Sequence, residues 1–368
     1  MKKIYVLFLS LSMAVGFAQT CPSNLTTYYS SATGTGYTLK TQLFNIIGSH
    51  TALSYTPGLW NLYYTSDVRP DGKVWDVYSN CNFVFGSVAS GGNQDNGTGG
   101  SSECERYNRE HTFPKSWFGG TSGIPMYTDA FHVMPTDKKD NGQRGSIPYG
   151  VVGGTPTYTT SNGSKIGICT APNAPGSFVV FEPADQYKGD IARNYFYMAT
   201  CYQDKIASWQ NIDPTNNGQK VLDGTSDHCY QNWYLDLMLT WHLADPVSQK
   251  EIDRNNAVCA VQNNRNPFID HPEFATQIWG FPLATDQFAL SANINVYPNP
   301  SNDHKINIDS EAILDTIELV NINGQLMQQV KHPVAQNRTY TLENLPQGFY
   351  FLKLSSNDKT IIKKVVIN

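Results

Sequence analysis

All seven cysteines of this chain precede residue 260, and the stretch after Leu290 holds neither cysteine nor tryptophan. Two regions with such different ingredients do not build one kind of core. The first can be cross-linked and packed around indoles. The second must close on short aliphatic and tyrosine-bearing strands alone. At 368 residues the chain is long enough for one large domain and one small one. The expected division is a signal peptide over 1–18, a large domain over 19–290 and a small one over 291–368.

The N-terminus implies export. Lys2 and Lys3 precede a short apolar run, Ile4 to Val15, and Gly16-Phe17-Ala18 offers small residues for cleavage after Ala18. No lipobox precedes Cys21, so no lipid anchor is expected. No later apolar run reaches eighteen residues, and no integral membrane segment is expected in the mature chain. In an oxidising compartment some of the cysteines should pair. They form no CxxC, which argues against a zinc ribbon. Leaving out one of seven gives 7 × 15 = 105 pairing schemes, which sequence does not resolve.

Periodicity gives a coarse architecture. Leu39 to Ile47, Gly189 to Tyr202 and Asp227 to His242 carry apolar residues at helical spacing. Asp245-Pro246 starts another helix that should run to about Gln262. Val74 to Tyr78 reads as a short strand, and Gly86 to Ser102 as a Gly/Ser/Asn-rich surface loop. After Leu290 the pattern becomes short strands: Ile306 to Ile308, Ile317 to Ile322, Gln325 to Val330, Tyr340 to Leu342 and Phe349 to Leu354. Turns at Asn323-Gly324, Pro346-Gln347-Gly348 and Asn357-Asp358 separate them, which predicts a small β-sandwich.

Chemistry concentrates between Cys104 and Gly150. Arg106 to Trp117 and Asp129 to Asp137 hold two short apolar stretches joined by a Gly-rich loop, Phe118 to Thr128, and Asp137 to Arg144 reads as a polar helical turn: strand, loop, strand, helix. Glu110 and Asn141 offer hard oxygen donors suited to Mg²⁺ or Ca²⁺ rather than Zn²⁺. A neutral imidazole on His111 beside such an ion can take a proton from water. Base, hard metal and a nearby arginine together describe phosphodiester hydrolysis. The bland readings are a chance Glu-His pair, a core His132 and a solvated helix face over Asp137 to Asp140. The net charge of −5 excludes a strongly basic nucleic-acid binder. Residues 19–290 carry 17 basic and 24 acidic side chains, a formal charge of −7, and the tail is neutral.

Asn108-Arg109-Glu110-His111 with Pro114-Lys115-Ser116, Asp129-Ala130-Phe131-His132 with Pro135-Thr136-Asp137, and Asn141-Gly142-Gln143-Arg144-Gly145 resemble the endonuclease I family of the ββα-metal superfamily. Gly189-Asp190-Ile191-Ala192-Arg193 and Asn264 to Pro272 extend the likeness over about Leu39 to Trp279. Tyr297-Pro298-Asn299-Pro300, Asn321 to Gln325, Leu345 to Tyr350 and Lys363 to Val366 resemble the C-terminal sorting domain of the type IX (Por) secretion system. The resemblance implies His111 as general base, and Glu110 and Asn141 as ligands of Mg²⁺ (or Ca²⁺ or Mn²⁺). His132 and Arg144 join the catalytic set, and Arg109, Lys115 and Arg265 are candidates for the substrate phosphate. The fold class expected is α+β: a mixed helix and short-strand nuclease domain with a ββα-metal motif, then a small all-β sandwich. The expected function is secreted or cell-surface hydrolysis of DNA and RNA at low sequence specificity, leaving 5′-phosphate ends. The expected partners are those nucleic acids and the type IX machinery, with the chain a monomer. The rivals are an extracellular ribonuclease only, or a non-catalytic adhesin on the same fold.

Overall fold

A computed structural model describes residues 21–22, 24–280, 294–311, 313–321, 325–356 and 359–368. The signal peptide and the boundary expected near Leu290 lie outside them, as do the turns at Asn323-Gly324 and Asn357-Asp358. The chain forms two compact units that part between Gly280 and Phe281.

In chain order the first unit contains α1 (Leu25–Tyr28), α2 (Gly36–Ile47), α3 (Gly58–Ser66), β1 (Tyr107–His111), β2 (Val133–Asp137) and α4 (Lys138–Arg144). Then come β3 (Val152–Thr159), β4 (Lys165–Cys169), β5 (Val179–Glu182), α5 (Lys188–Cys201) and α6 (Asn217–Val221). It closes with α7 (Asn232–Ala244), α8 (Gln249–Gln262), α9 (Pro267–Asp270) and α10 (Glu273–Trp279).

The spacing predicts α5 as amphipathic, but every residue from Gly189 to Cys201 is buried. A helix covered on all sides lies at the centre of a core. Two of its buried charged residues are paired there: Arg193 with Glu251, and Asp190 with Lys250 at 2.7 Å. α7 packs against it through buried Trp233, Tyr234, Leu237 and Met238. α7 begins later than its periodicity suggests, because Cys229 takes a left-handed conformation (φ 68°) in the preceding turn. α8 starts at a capping box in which Ser248 and Glu251 satisfy each other's backbone N–H groups. It ends at Gln262 as expected.

The strand expected over Val74 to Tyr78 is absent. Asp76 accepts the backbone N–H of Tyr78 at 2.8 Å, and this local turn competes with ladder pairing. Only Val74 pairs, in a single bridge to Val68. The antiparallel sheet β3-β4-β5 has no counterpart in the sequence reading.

Two disulfides form, Cys21–Cys259 and Cys81–Cys104. Cys169, Cys201 and Cys229 are buried thiols, so three cysteines rather than one stay unpaired.

The second unit holds β6 (Ile294–Tyr297), β7 (Ile306–Ser310), β8 (Thr316–Asn321), β9 (Leu326–Lys331), β10 (Thr339–Leu342), β11 (Gly348–Ser356) and β12 (Lys359–Ile367). They form two antiparallel sheets, β10-β7-β6 and β12-β11-β8-β9. Ile306, Ile308, Leu319, Leu352, Leu354 and Val365 meet in one aliphatic core. The all-β region is as expected, with β6 and β12 added to the strands read from the sequence.

Candidate active site

The site grows from one hairpin and one helix turn. β1 and β2 pair antiparallel with Glu110 opposite Met134 and His111 opposite Val133. Asp137 ends β2 and caps α4, accepting from the backbone N–H of Lys139 at 2.7 Å and of Asp140 at 3.1 Å. The strand therefore passes directly into the helix, and α4 folds back onto β1. Asn141 then reaches β1, its amide nitrogen donating to Asn108 Oδ1 at 2.8 Å and to the Arg109 carbonyl at 3.4 Å. Because that nitrogen faces Asn108 and Arg109, its Oδ1 points away from them.

Alternation along β1 puts Asn108 and Glu110 on one face and Arg109 and His111 on the other. The Glu110 face is a buried polar layer. Tyr78 donates to Glu110 Oε1 at 2.7 Å and Arg144 donates to the same oxygen at 2.8 Å. Oε2 takes neither bond. Tyr149 in turn is hydrogen-bonded to the Tyr78 hydroxyl. Burial raises the Glu110 carboxyl above its ordinary value, while Arg144 and Tyr78 oppose the shift.

The His111 face is aromatic. Tyr55 stacks against the His111 ring (6.2 Å, 23°), with Tyr127 at 5.0 Å and His132 at 5.5 Å. His111 Nε2 lies 2.9 Å from the Tyr127 carbonyl oxygen. A carbonyl only accepts, so Nε2 carries the proton and Nδ1 keeps the lone pair. Burial, with the neighbouring His132 adding to it, holds His111 well below the usual imidazole range, so the ring is neutral at neutral pH.

Comparison with known proteins places the first unit in a family. Residues 35–273 match the family model of endonuclease I. The chain belongs to the endonuclease I family. It is also 34% identical over 261 residues to an extracellular ribonuclease of Bacillus amyloliquefaciens, covering 69% of this chain and 78% of that relative. The same identity and coverage hold for an extracellular ribonuclease of Bacillus subtilis (strain 168). Residues 295–368 match a secretion system C-terminal sorting domain. This endonuclease I chain is therefore a nuclease marked for secretion or the cell surface. Among the described residues no helix is long and apolar enough to cross a membrane.

The remaining sequence-derived residues fall in three settings. Arg144 is wholly buried, and its donors run to Glu110, to the His111 and Thr112 carbonyls at 2.9 Å and to the Ile147 carbonyl at 3.0 Å. Its guanidinium is enclosed and spent on β1, where it holds the strand end and Glu110. His132 is equally buried, with Nε2 beside the Met126 carbonyl and its ring 5.5 Å from that of His111. Arg265 forms a two-point pair with Asp270 (2.6 and 2.7 Å) and a bond to Asn256, so its donors are engaged within the fold. Arg109 and Lys115 differ. Arg109 lies between Tyr55 (3.5 Å to the ring centre) and Trp60 (4.3 Å), and Lys115 is exposed above the Tyr127 ring. Neither has a carboxylate partner among the described residues.

Sequence reasoning in this endonuclease I chain missed Tyr78, Tyr149 and Tyr55. Each lies outside the motif, and no local spacing marks it. A second group, His50, Asp129 and Cys201, brings three ligand-type atoms within 4.8 Å of one another. The Cys201 Sγ approaches His50 Nδ1 (3.8 Å), whereas Asp129 approaches Nε2 (3.6 Å). Lone pairs on opposite ring nitrogens diverge and do not converge on one ion. Asp129 already accepts from Tyr197, Tyr202, Gln262 and the backbone of Phe131. The group is a hydrogen-bonded anchor for the turn that carries the Tyr127 carbonyl.

Proposed function

We propose that the first unit is a metal-dependent endonuclease that hydrolyses DNA and RNA at low sequence specificity, with His111 as general base and one Mg²⁺. The division of β1 into a carboxylate face and an imidazole face carries this reading. The donor set fits a hard cation: Glu110 has one oxygen committed to Tyr78 and Arg144 and another outside both bonds, and Asn141 turns its carbonyl away from Asn108. Glu110 and Asn141 would hold Mg²⁺, with Ca²⁺ or Mn²⁺ as substitutes. Such an ion, when bound, supplies positive charge at the scissile phosphate and the leaving 3′ oxygen, consistent with 5′-phosphate ends.

The chain's own residues do the rest. Tyr127 fixes the His111 tautomer, so Nδ1 accepts the proton of the attacking water. Arg109 and Lys115, free of carboxylates among the described residues, neutralise the phosphate. Arg144 and His132 act as positioning residues behind Glu110 and His111. Among the described residues no element offers base-edge readout, so affinity comes from the backbone and sequence preference is weak. The names of the two Bacillus relatives support RNA as a substrate. We further propose that the unit over 19–290 acts as a monomer and that the tail engages the type IX machinery.

Plasmid nicking and RNA cleavage, each with Mg²⁺ and with chelator, test this reading. Both substrates should be cut and both reactions should stop on chelation. RNA cleavage with an intact plasmid would reduce the activity to a ribonuclease. Cleavage that survives chelation would overturn the metal assignment.

A further inference from the structure

Tyr64 is half exposed, at 50%, and its ring lies against Phe85 with centres 4.8 Å apart and planes at 29°. A lone exposed tyrosine is ordinary. This one is held: Gly86 is in a left-handed conformation (φ 98°), and a Cβ there would come within 3.3 Å of the Tyr64 hydroxyl. The hydroxyl makes no hydrogen bond among the described residues, so ring stacking alone orients the side chain.

The pair is continuous with the active site. Phe85 touches Tyr107 (6.4 Å), Tyr107 meets Trp60 edge-on (5.6 Å), and Trp60 covers Arg109. The other side of Arg109 is Tyr55, which stacks on His111. One ladder of rings therefore runs from the candidate base, past a cation without a carboxylate, to a stacked aromatic pair at the surface. Trp60 and Tyr64 are one helical turn apart on α3, so the ladder advances by about 6 Å between them. A strand whose phosphate rests on Arg109 has its neighbouring nucleotides within reach of Tyr64.

The charge of the unit explains the use of such a surface. At a formal −7 over residues 19–290, it attracts a polyanion only through local cations. Stacking adds affinity without charge, and any base serves because every base has a π-face. A base can stack on a protein ring only when it is free of its own helix.

We propose that Tyr64 and Phe85 form a stacking platform for an unpaired base of the substrate, which makes single-stranded nucleic acid the favoured substrate class. The proposal rests on the reading that cleavage occurs at His111. Wild type, Tyr64→Ala and Tyr64→Trp are compared on one sequence as a single strand and as a duplex. Tyr64→Ala should raise KM for the single strand by about 5- to 150-fold, the equivalent of one stacked base, with kcat changed by less than about twofold. Tyr64→Trp should restore it, and KM for the duplex should not move. In a second arm, 2-aminopurine in the single strand is titrated with protein under chelator. Its fluorescence should be quenched by wild type and not by Tyr64→Ala. An unchanged single-strand KM, an equal rise on duplex, or equal quenching by both proteins overturns the platform. Cleavage that persists under chelator would sink the metal reading, and a His111→Ala variant that cuts as fast as wild type would sink the histidine reading; either result leaves the 2-aminopurine comparison standing.

Discussion

Tyr78→Phe removes one oxygen from the site and nothing else. The ring stays buried against Phe181, and Glu110 keeps its pairing with Arg144. What is lost is the 2.7 Å bond to Glu110 Oε1 and the partner of the Tyr149 hydroxyl. A hydrogen bond to a charged group is worth about 1.5–3 kcal/mol, and a buried hydroxyl left unpaired costs about 1–3 kcal/mol. The first term acts on the carboxylate's orientation, the second on the fold. Outer partners of metal ligands typically change metal affinity by about 10–100-fold when removed. Arg144 still grips Oε1, so the lower half of that range is expected. Calorimetric titration with Mg²⁺ should show the weaker binding directly. The cleavage rate against Mg²⁺ concentration should shift its midpoint by the same factor and reach nearly the wild-type plateau. Tyr149→Phe, one bond further out, should shift it less. An unmoved midpoint with a lowered plateau would refute the argument, because Tyr78 would then act on the reaction and not on the ligand.

Other substitutions separate the remaining roles. His111→Ala should cut about 10²–10⁴-fold more slowly without losing metal affinity, and added Mg²⁺ should not restore it. Glu110→Ala and Asn141→Ala should lose metal affinity and recover partly with excess metal, as followed by rate and calorimetry. The fragment Gln19–Leu290 should cleave as fast as the mature chain, and a folded but inactive fragment would make the tail part of the enzyme. Burial and Arg193 depress His242 to about 4, so the unfolded chain takes its proton first. Its contribution is complete above about pH 6.5 and is lost towards pH 4, by up to about 3 kcal/mol. His242→Gln should therefore flatten the fall in Tm between pH 6.5 and 4.5.

The fold was legible where one physical signal dominated. α8 has a capping sequence and a clear end, and the tail strands alternate between turn residues. Signals failed where a tertiary or local contact overrode them. α5 carries a periodic apolar pattern, yet Asp190 and Arg193 are buried too, because Lys250 and Glu251 on α8 supply their partners. Val74 to Tyr78 has the composition of a strand, but Asp76 turns the backbone before it can pair. Cysteine counting could not tell that Cys201 sits buried inside α5, beside His50 and the Ile47 carbonyl and outside any disulfide.

The site divides along the same line. Glu110, His111 and Asn141 are legible because one hairpin and one helical turn bring them together, and such short connections leave their spacing in the sequence. Their supports leave none. Tyr78 is 32 residues before Glu110, and Tyr127 offers only a backbone carbonyl, which any residue type supplies. Arg144 was visible as a cation but not as a buried one. Inside the fold the sign of its charge matters less than its geometry. Its planar donors close three carbonyls and a carboxylate at once, something a lysine in the same position could not do. Removing it would leave Glu110 as an uncompensated buried charge, a defect of about 3–5 kcal/mol. The arginine in the motif is thus better explained as the group that makes a buried carboxylate tolerable than as a contact to phosphate. Arg109 and Lys115 differ from it in lying near the His111 face without a carboxylate partner among the described residues, which is why the proposed phosphate contact is given to them.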